Sequence, residues 1–181
     1  MPNLFSIARI LMAFLLVIKI LERDFFWALL ILSGAATSDF LDGFLARKYN
    51  ATSRFGSIID PLADKILMMA AYGTLWHMDL IQGYVCLVVL GRDVLIMLTV
   101  LLCAMKKIPI TFSPLMLSKV NTTLQLLYII FVIYCNCFLI NVPFAQVMIL
   151  IFGGIVAVST LFSGLEYARK YNWIKGALCK K

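Results

Sequence analysis

The chain has 181 residues, 63% of them hydrophobic and 14% charged, with 16 Lys+Arg against nine Asp+Glu and a formal charge of +7. A soluble domain is about half apolar and about a quarter charged, so this composition argues against a soluble enzyme, a disordered tail or a disulfide-stapled secreted module and for a polytopic membrane protein. In that setting the cationic excess points to cytoplasmic loops and anionic lipid headgroups rather than to nucleic acid.

Crossing a hydrocarbon core takes about 20 helical residues, and apolar runs of that order lie at 5–21, 25–46, 58–76, 81–104, 115–140 and 143–165. They predict an all-α protein of six transmembrane helices forming a single integral-membrane domain over residues 1–181. The first run contains a possible signal-peptide core, Ile10–Ile18. Lys19, Glu22, Arg23 and Asp24 follow it without a small-residue cleavage site, so a retained span is expected. Phe25, Phe26 and Trp27 open the second run as an expected aromatic belt. Pro61 is expected in the first turn of the third span, where its missing N–H costs little. Gly153-Gly154 and the Ser159, Ser163, Gly164 series in the sixth suit close helix contact, for instance between subunits. The five cysteines are odd in number, lack CxxC spacing and sit mostly in apolar runs, so they read as small hydrophobes. His77, the only histidine, falls in a connection.

The connections set the orientation. The first is electrically balanced. The second carries Arg47, Lys48 and Arg54, the third only Asp79, the fourth Lys106 and Lys107, and the fifth no charge. The tail from Tyr167 to Lys181 mixes Tyr171 and Trp173 with Lys and Arg, as an interfacial anchor would. Basic connections alternate with neutral ones, which places both termini in the cytoplasm.

Four of the nine acidic residues crowd into one stretch, SDFLDGFLARKYNATSRFGSIIDPLADK: Asp39, Asp42, Asp60 and Asp64. An unpaired Asp at mid-bilayer costs about 2.5–3.5 kcal/mol, so intramembrane carboxylates mark function. Asp39, Asp42, Gly43 and Ala46 recur at helical spacing on one face, and so do Gly56, Asp60 and Asp64. The second and third spans run antiparallel across a short basic connection, which allows these faces to converge. Asp39–Asp42 lie about 21–26 Å along the helix from Phe25, at about 1.5 Å per residue, hence near the cytoplasmic interface. Four neighbouring carboxylates need protons or cations to neutralise them, and hard divalent ions suit oxygen ligands. A pair of such ions clamps the attacking and leaving oxygens of a phosphoryl-type displacement. Gly43, Ala46 and Gly56 lack bulk, so a base or phosphate can approach, and Arg47 offers a forked donor to phosphate. The alternatives are an inert lock with Arg47, Lys48, Arg54 and Lys65, or an ion pathway. The second conflicts with a cluster at one edge of the bilayer and with the lack of a polar relay beyond Asn121, Thr122, Thr123 and Gln125.

The segment fits D-x2-D-G-x2-A-R-x8-G-x3-D-x3-D without deviation and resembles the signature of the CDP-alcohol phosphatidyltransferases. The resemblance implies attack of an acceptor hydroxyl on the phosphatidyl phosphorus of CDP-diacylglycerol, with CMP leaving. It implies that Asp39, Asp42, Asp60 and Asp64 ligate two Mg²⁺ or Mn²⁺ ions and that Asp64 is also the general base. It further implies that Gly43, Ala46, Arg47 and Gly56 form the CDP site, and that the enzyme is a homodimer. Arg92 and Lys119 are cations inside apolar runs and suit an anionic acceptor. Their bland readings are packing against Asp93 and snorkelling to the interface. Arg92-Asp93 and Ser118-Lys119-Val120-Asn121-Thr122 resemble the cardiolipin-forming branch, whose acceptor is phosphatidylglycerol, more than the branch that uses glycerol 3-phosphate. The latter typically carries Arg-Glu and Lys-x-Lys, and it stands as the alternative. The compact chain without a transit peptide reads as a multi-pass protein of a bacterial inner membrane, its site facing the cytoplasm.

Overall fold

The computed structural model describes residues 2–49, 56–105, 116–139 and 142–178. For 2–8, 38–49, 56–64, 99–105, 167, 168 and 170–178 it gives the helix but not the side chains. The described residues form six helices and no strands: α1 (Pro2–Leu21), α2 (Phe25–Tyr49), α3 (Gly56–His77), α4 (Gly83–Met105), α5 (Met116–Phe138) and α6 (Pro143–Leu178). The six apolar runs thus become six helices, with ends shifted by a few residues. Two differences are larger. Helix α3 begins at Gly56, so Pro61 sits in its second turn, not its first. Helix α6 continues past the apolar run to Leu178, because no proline or glycine interrupts the chain between Glu166 and Gly176. Among the described residues, Met116–Phe138 and Pro143–Glu166 are long and apolar enough to cross a membrane.

Two tight turns explain how the bundle folds back on itself. After α1, Arg23 takes a left-handed conformation (φ 60°), and the amides of Arg23 and Asp24 donate to the carbonyls of Ile20 and Lys19. After α3, Asp79 does the same (φ 58°), with the amides of Asp79 and Leu80 donating to Trp76 and Leu75. Both are Schellman caps built without glycine, and each satisfies carbonyls that the helix end would leave open. Lys19 braces the first of them through Glu22 (2.7 Å) and Asp24 (3.6 Å).

Helix α1 packs on α2 and α3, α5 touches α2, α3 and α6, and α4 touches α3 and α6. Leu16, Ile20, Ala28, Leu32, Tyr72, Leu75, Val85, Ile129, Val132, Ile133 and Val156 fill the interior. The outside is also apolar: Leu11, Phe14, Leu87, Leu95, Phe144, Phe162 and Leu165 are each more than half exposed. A monomer in water does not show such a continuous apolar surface. It is what a lipid-facing bundle requires.

Several expectations sharpen here. Phe26 and Trp27 are exposed and meet edge-to-face, whereas Phe25 is buried in the core and does not join the belt. His77 is exposed at the end of α3. Cys86 and Cys135 are buried free thiols, as small hydrophobes should be. Gly153 is buried where a Cβ would meet Tyr128 Oη at 2.8 Å and Gln82 Oε1 at 2.9 Å, while Gly154 faces open space. Gly153, Ser159, Ser163 and Gly164 therefore serve contacts within this chain.

Candidate active site

The signature residues fall on two helices. Asp39, Asp42, Gly43, Ala46 and Arg47 belong to the last part of α2, and Gly56, Asp60 and Asp64 to the first part of α3. Their side chains lie outside the described residues. Among the described residues, no three His, Cys, Asp or Glu side chains gather as a metal site. Carboxylates, the side-chain type of Asp39, Asp42, Asp60 and Asp64, are hard oxygen ligands of the kind that Mg²⁺ and Mn²⁺ take.

Among the described side chains, a polar column joins α3, α4, α5 and α6. Lys65 on α3 donates to Asp93 Oδ2 on α4 at 2.6 Å. Asp93 is buried, and its other oxygen accepts from Arg92 Nη1 at 2.7 Å. Arg92 Nη2 then donates to Ser118 Oγ on α5 at 2.7 Å and to Ser163 Oγ on α6 at 3.0 Å. One carboxylate between two cations thus ties four helices together. Burying these charges is tolerable only because each is paired and hydrogen-bonded.

One turn further along α5 the column continues without charge. Asn121 Oδ1 accepts from Ser159 Oγ (2.9 Å) and Thr160 Oγ1 (3.0 Å), both on α6. Thr160 Oγ1 in turn accepts from Gln125 Nε2 at 3.2 Å. Tyr72 on α3 caps the column by donating to the Gln125 carbonyl at 3.1 Å. The register is that of antiparallel helices: Ser118 faces Ser163, Asn121 faces Ser159 and Thr160, and Tyr128 faces Gly153.

Of the two expected acceptor cations, Arg92 is buried inside this column and Lys119 is exposed on α5. The packing of Arg92 on Asp93 is observed, and it also reaches two serines on other helices. Lys65 pairs with Asp93, a partner that local spacing does not suggest. Arg9 in α1 is buried as well. Sequence reasoning missed Ser163 as a partner of Arg92, and Gln125 and Thr160 as partners in the layer around Asn121. The available signal was polar residues repeating at three- and four-residue intervals in α5 and α6.

A family model described as CDP-alcohol phosphatidyltransferase matches residues 1–162. The chain is 36% identical over 144 residues to cardiolipin synthase (CMP-forming) of Rattus norvegicus, covering 71% of this chain and 48% of that protein. It is 28% identical over 172 residues to CDP-diacylglycerol–glycerol-3-phosphate 3-phosphatidyltransferase of Aquifex aeolicus, covering 93% of this chain and 94% of that one. The corresponding Bacillus subtilis enzyme is 32% identical over 141 residues, covering 77% and 69%. The chain therefore spans about half the length of the mammalian relatives it matches and nearly all of the Aquifex one. With the unbroken eight-position signature on α2 and α3 and a family match over most of its length, the chain belongs to the CDP-alcohol phosphatidyltransferase family.

Proposed function

We propose that this protein transfers the phosphatidyl group of CDP-diacylglycerol to a glycerol-type acceptor in phospholipid biosynthesis, releasing CMP. The observation that carries the reading is the complete signature, Asp39, Asp42, Gly43, Ala46, Arg47, Gly56, Asp60 and Asp64, on consecutive helices. Asp39, Asp42, Asp60 and Asp64 hold two divalent ions, Mg²⁺ or Mn²⁺. When bound, these supply charge neutralisation to the pyrophosphate and the departing CMP. Arg47 binds phosphate, and Gly43, Ala46 and Gly56 leave room for the nucleotide. Asp64 takes the proton of the acceptor hydroxyl as its oxygen bonds to the phosphatidyl phosphorus and the bond to the CMP oxygen breaks. Arg92, held by Asp93, Ser118 and Ser163, keeps positive charge near the site for an anionic acceptor, and Lys119 adds to it from α5.

We favour phosphatidylglycerol as acceptor, giving cardiolipin. Arg92-Asp93 and Asn121 supply fewer cations than a dianionic phosphate calls for, and the 36% identity to a cardiolipin synthase supports that choice. Glycerol 3-phosphate is the second reading, favoured by the end-to-end correspondence with the Aquifex protein. The chain acts as one six-span domain, with both termini and the site on the cytoplasmic side of the membrane, and as a homodimer. The deciding experiment offers the purified protein CDP-diacylglycerol, Mg²⁺ and each acceptor and identifies the lipid product by mass spectrometry. Cardiolipin is expected. Phosphatidylglycerophosphate alone would assign the second reading, and no CMP from either would refute the transferase activity.

A further inference from the structure

Arg9 is buried in α1, 7% exposed, and its surroundings follow from three stripes of buried residues. On α1 the stripe is Arg9, Ala13, Leu16 and Ile20, on α2 it is Phe25, Ala28, Leu32 and Ala35, and on α3 it is Met68, Ala71 and Leu75. Each repeats at three- and four-residue steps and so marks one helix face, and α1 packs on both α2 and α3. Continued at the same steps, the α2 face runs on through positions 39 and 42, and the α3 face runs back through 64 and 60. Depth agrees with rotation when it is measured from the end of the bundle that carries the two backbone caps. From Leu21 back to Arg9, from Phe25 on to Thr37 and from His77 back to Lys65 is 12 residues each. At about 1.5 Å per residue, Arg9 therefore stands within about 3 Å of the level of Asp39 and Asp64. Helical side chains lean toward the N-terminus of their helix, which on α1 is the direction of the signature. A guanidinium never gives up its proton, and a buried one is kept only against compensating negative charge. The described carboxylates serve other places: Glu22 and Asp24 pair with Lys19, Asp93 pairs with Lys65 and Arg92, Asp79 sits in the turn after α3, and Glu166 is on α6.

We propose that Arg9 is the resident counter-charge of the acidic cluster: it offsets Asp39 and Asp64 while no divalent ion is bound and opposes such an ion electrostatically when one binds. The proposal rests on the reading that these carboxylates take divalent ions, and it adds to that reading a residue outside the signature. Carboxylates gathered at one level repel one another, and a fixed cation on the neighbouring helix limits that repulsion. The same cation lowers the affinity for Mg²⁺ or Mn²⁺, since like charges near one donor set disfavour each other. Arg9 thus keeps the emptied site in shape and makes its ions exchangeable.

The test follows thermal unfolding of the full-length protein in detergent across a Mn²⁺ titration without nucleotide, with Mn²⁺ binding read directly by electron paramagnetic resonance. Arg9→Met should unfold earlier than wild type in EDTA. It should reach half of its Mn²⁺-induced stabilisation at a Mn²⁺ concentration about fivefold or more lower than wild type needs. Arg9→Gln should behave likewise, and it serves if Arg9→Met does not fold. Arg9→Lys keeps the charge and should stay close to wild type. In an Asp39→Asn background the effect of Arg9→Met on Mn²⁺ affinity should shrink, because one of the two coupled groups is gone. An arginine held only for packing would lower the midpoint in EDTA and leave the Mn²⁺ affinity where it was, and that result would overturn the role. So would weaker Mn²⁺ binding in the neutral variants. Failure of both neutral variants to fold even with Mn²⁺ present would assign Arg9 to the fold itself and overturn the role as well. A wild type that Mn²⁺ neither binds to nor stabilises would instead refute the divalent-ion reading. Equal Mn²⁺ affinities with metal-dependent CMP release intact would leave that reading standing and remove Arg9 alone.

Discussion

The two ends of the bundle are held by different forces. At the end where α1 meets α2 and α3 meets α4, backbone caps close the turns and Leu16, Ile20, Ala28, Leu75 and Val85 pack into a dry interior. Toward the other end, α3, α4, α5 and α6 meet through Lys65, Asp93, Arg92, Ser118, Ser163, Asn121 and Thr160. Apolar contact is non-directional and tolerates substitutions of similar volume. A buried ionic layer is directional, and loses heavily when one member is removed. The polar side is therefore where function can impose a costly arrangement, and one of its members, Lys65, is the chain neighbour of Asp64.

This contrast can be broken most severely at the proposed chemistry. Asp64→Asn should cut CMP release by about 10²–10⁴-fold while the thermal midpoint changes little. Undiminished turnover would remove Asp64 as the base. Next in size is the ionic layer. Asp93→Ala strands Arg92 and Lys65 and should cost about 3–5 kcal/mol, read from thermal or denaturant unfolding in detergent. The triple replacement Lys65→Met, Asp93→Leu, Arg92→Met should cost clearly less than Asp93→Ala alone, because no charge is left uncompensated. A triple variant less stable than the single one would show that the layer stabilises the fold outright.

Smaller effects sharpen the apolar side. Gly153→Ala should destabilise by about 1–3 kcal/mol, because its Cβ would press on Tyr128 and Gln82. Gly154→Ala next to it, with open space, should be neutral or stabilising by up to about 1 kcal/mol. Equal effects at the two positions would mean that α6 packs in another rotation. Least of all, Arg23→Gly should stabilise by about 1 kcal/mol, because glycine takes the left-handed cap without strain. A lower unfolding midpoint in that variant would argue against the cap.

Much of this was legible in the residues. Six apolar runs and their polar breaks mark six helices because hydropathy and helix-breaking are local properties. The eight-position signature marks the chemistry because its spacing is fixed along the chain. The ends of α3 and α6 were less legible. Hydropathy tracks burial in lipid, whereas helix continues through the polar residues before Asp60 and after Glu166 wherever no breaker stops it. Aromatic composition alone puts Phe25 in a belt with its neighbours, but one position of rotation turns it inside while Phe26 and Trp27 stay out.

The chain by itself determined the helices, the cationic bias of its connections and the family chemistry, all carried by neighbours within a few turns. Only the tertiary structure decided that Lys65 pairs with Asp93, that Arg92 reaches serines on α5 and α6, and that Asn121 and Gln125 end one bond short. Those partners are 26 to 71 residues apart or depend on how two helices are rotated against each other. Such relations are set by packing and by the need to satisfy buried charge, which no local pattern encodes.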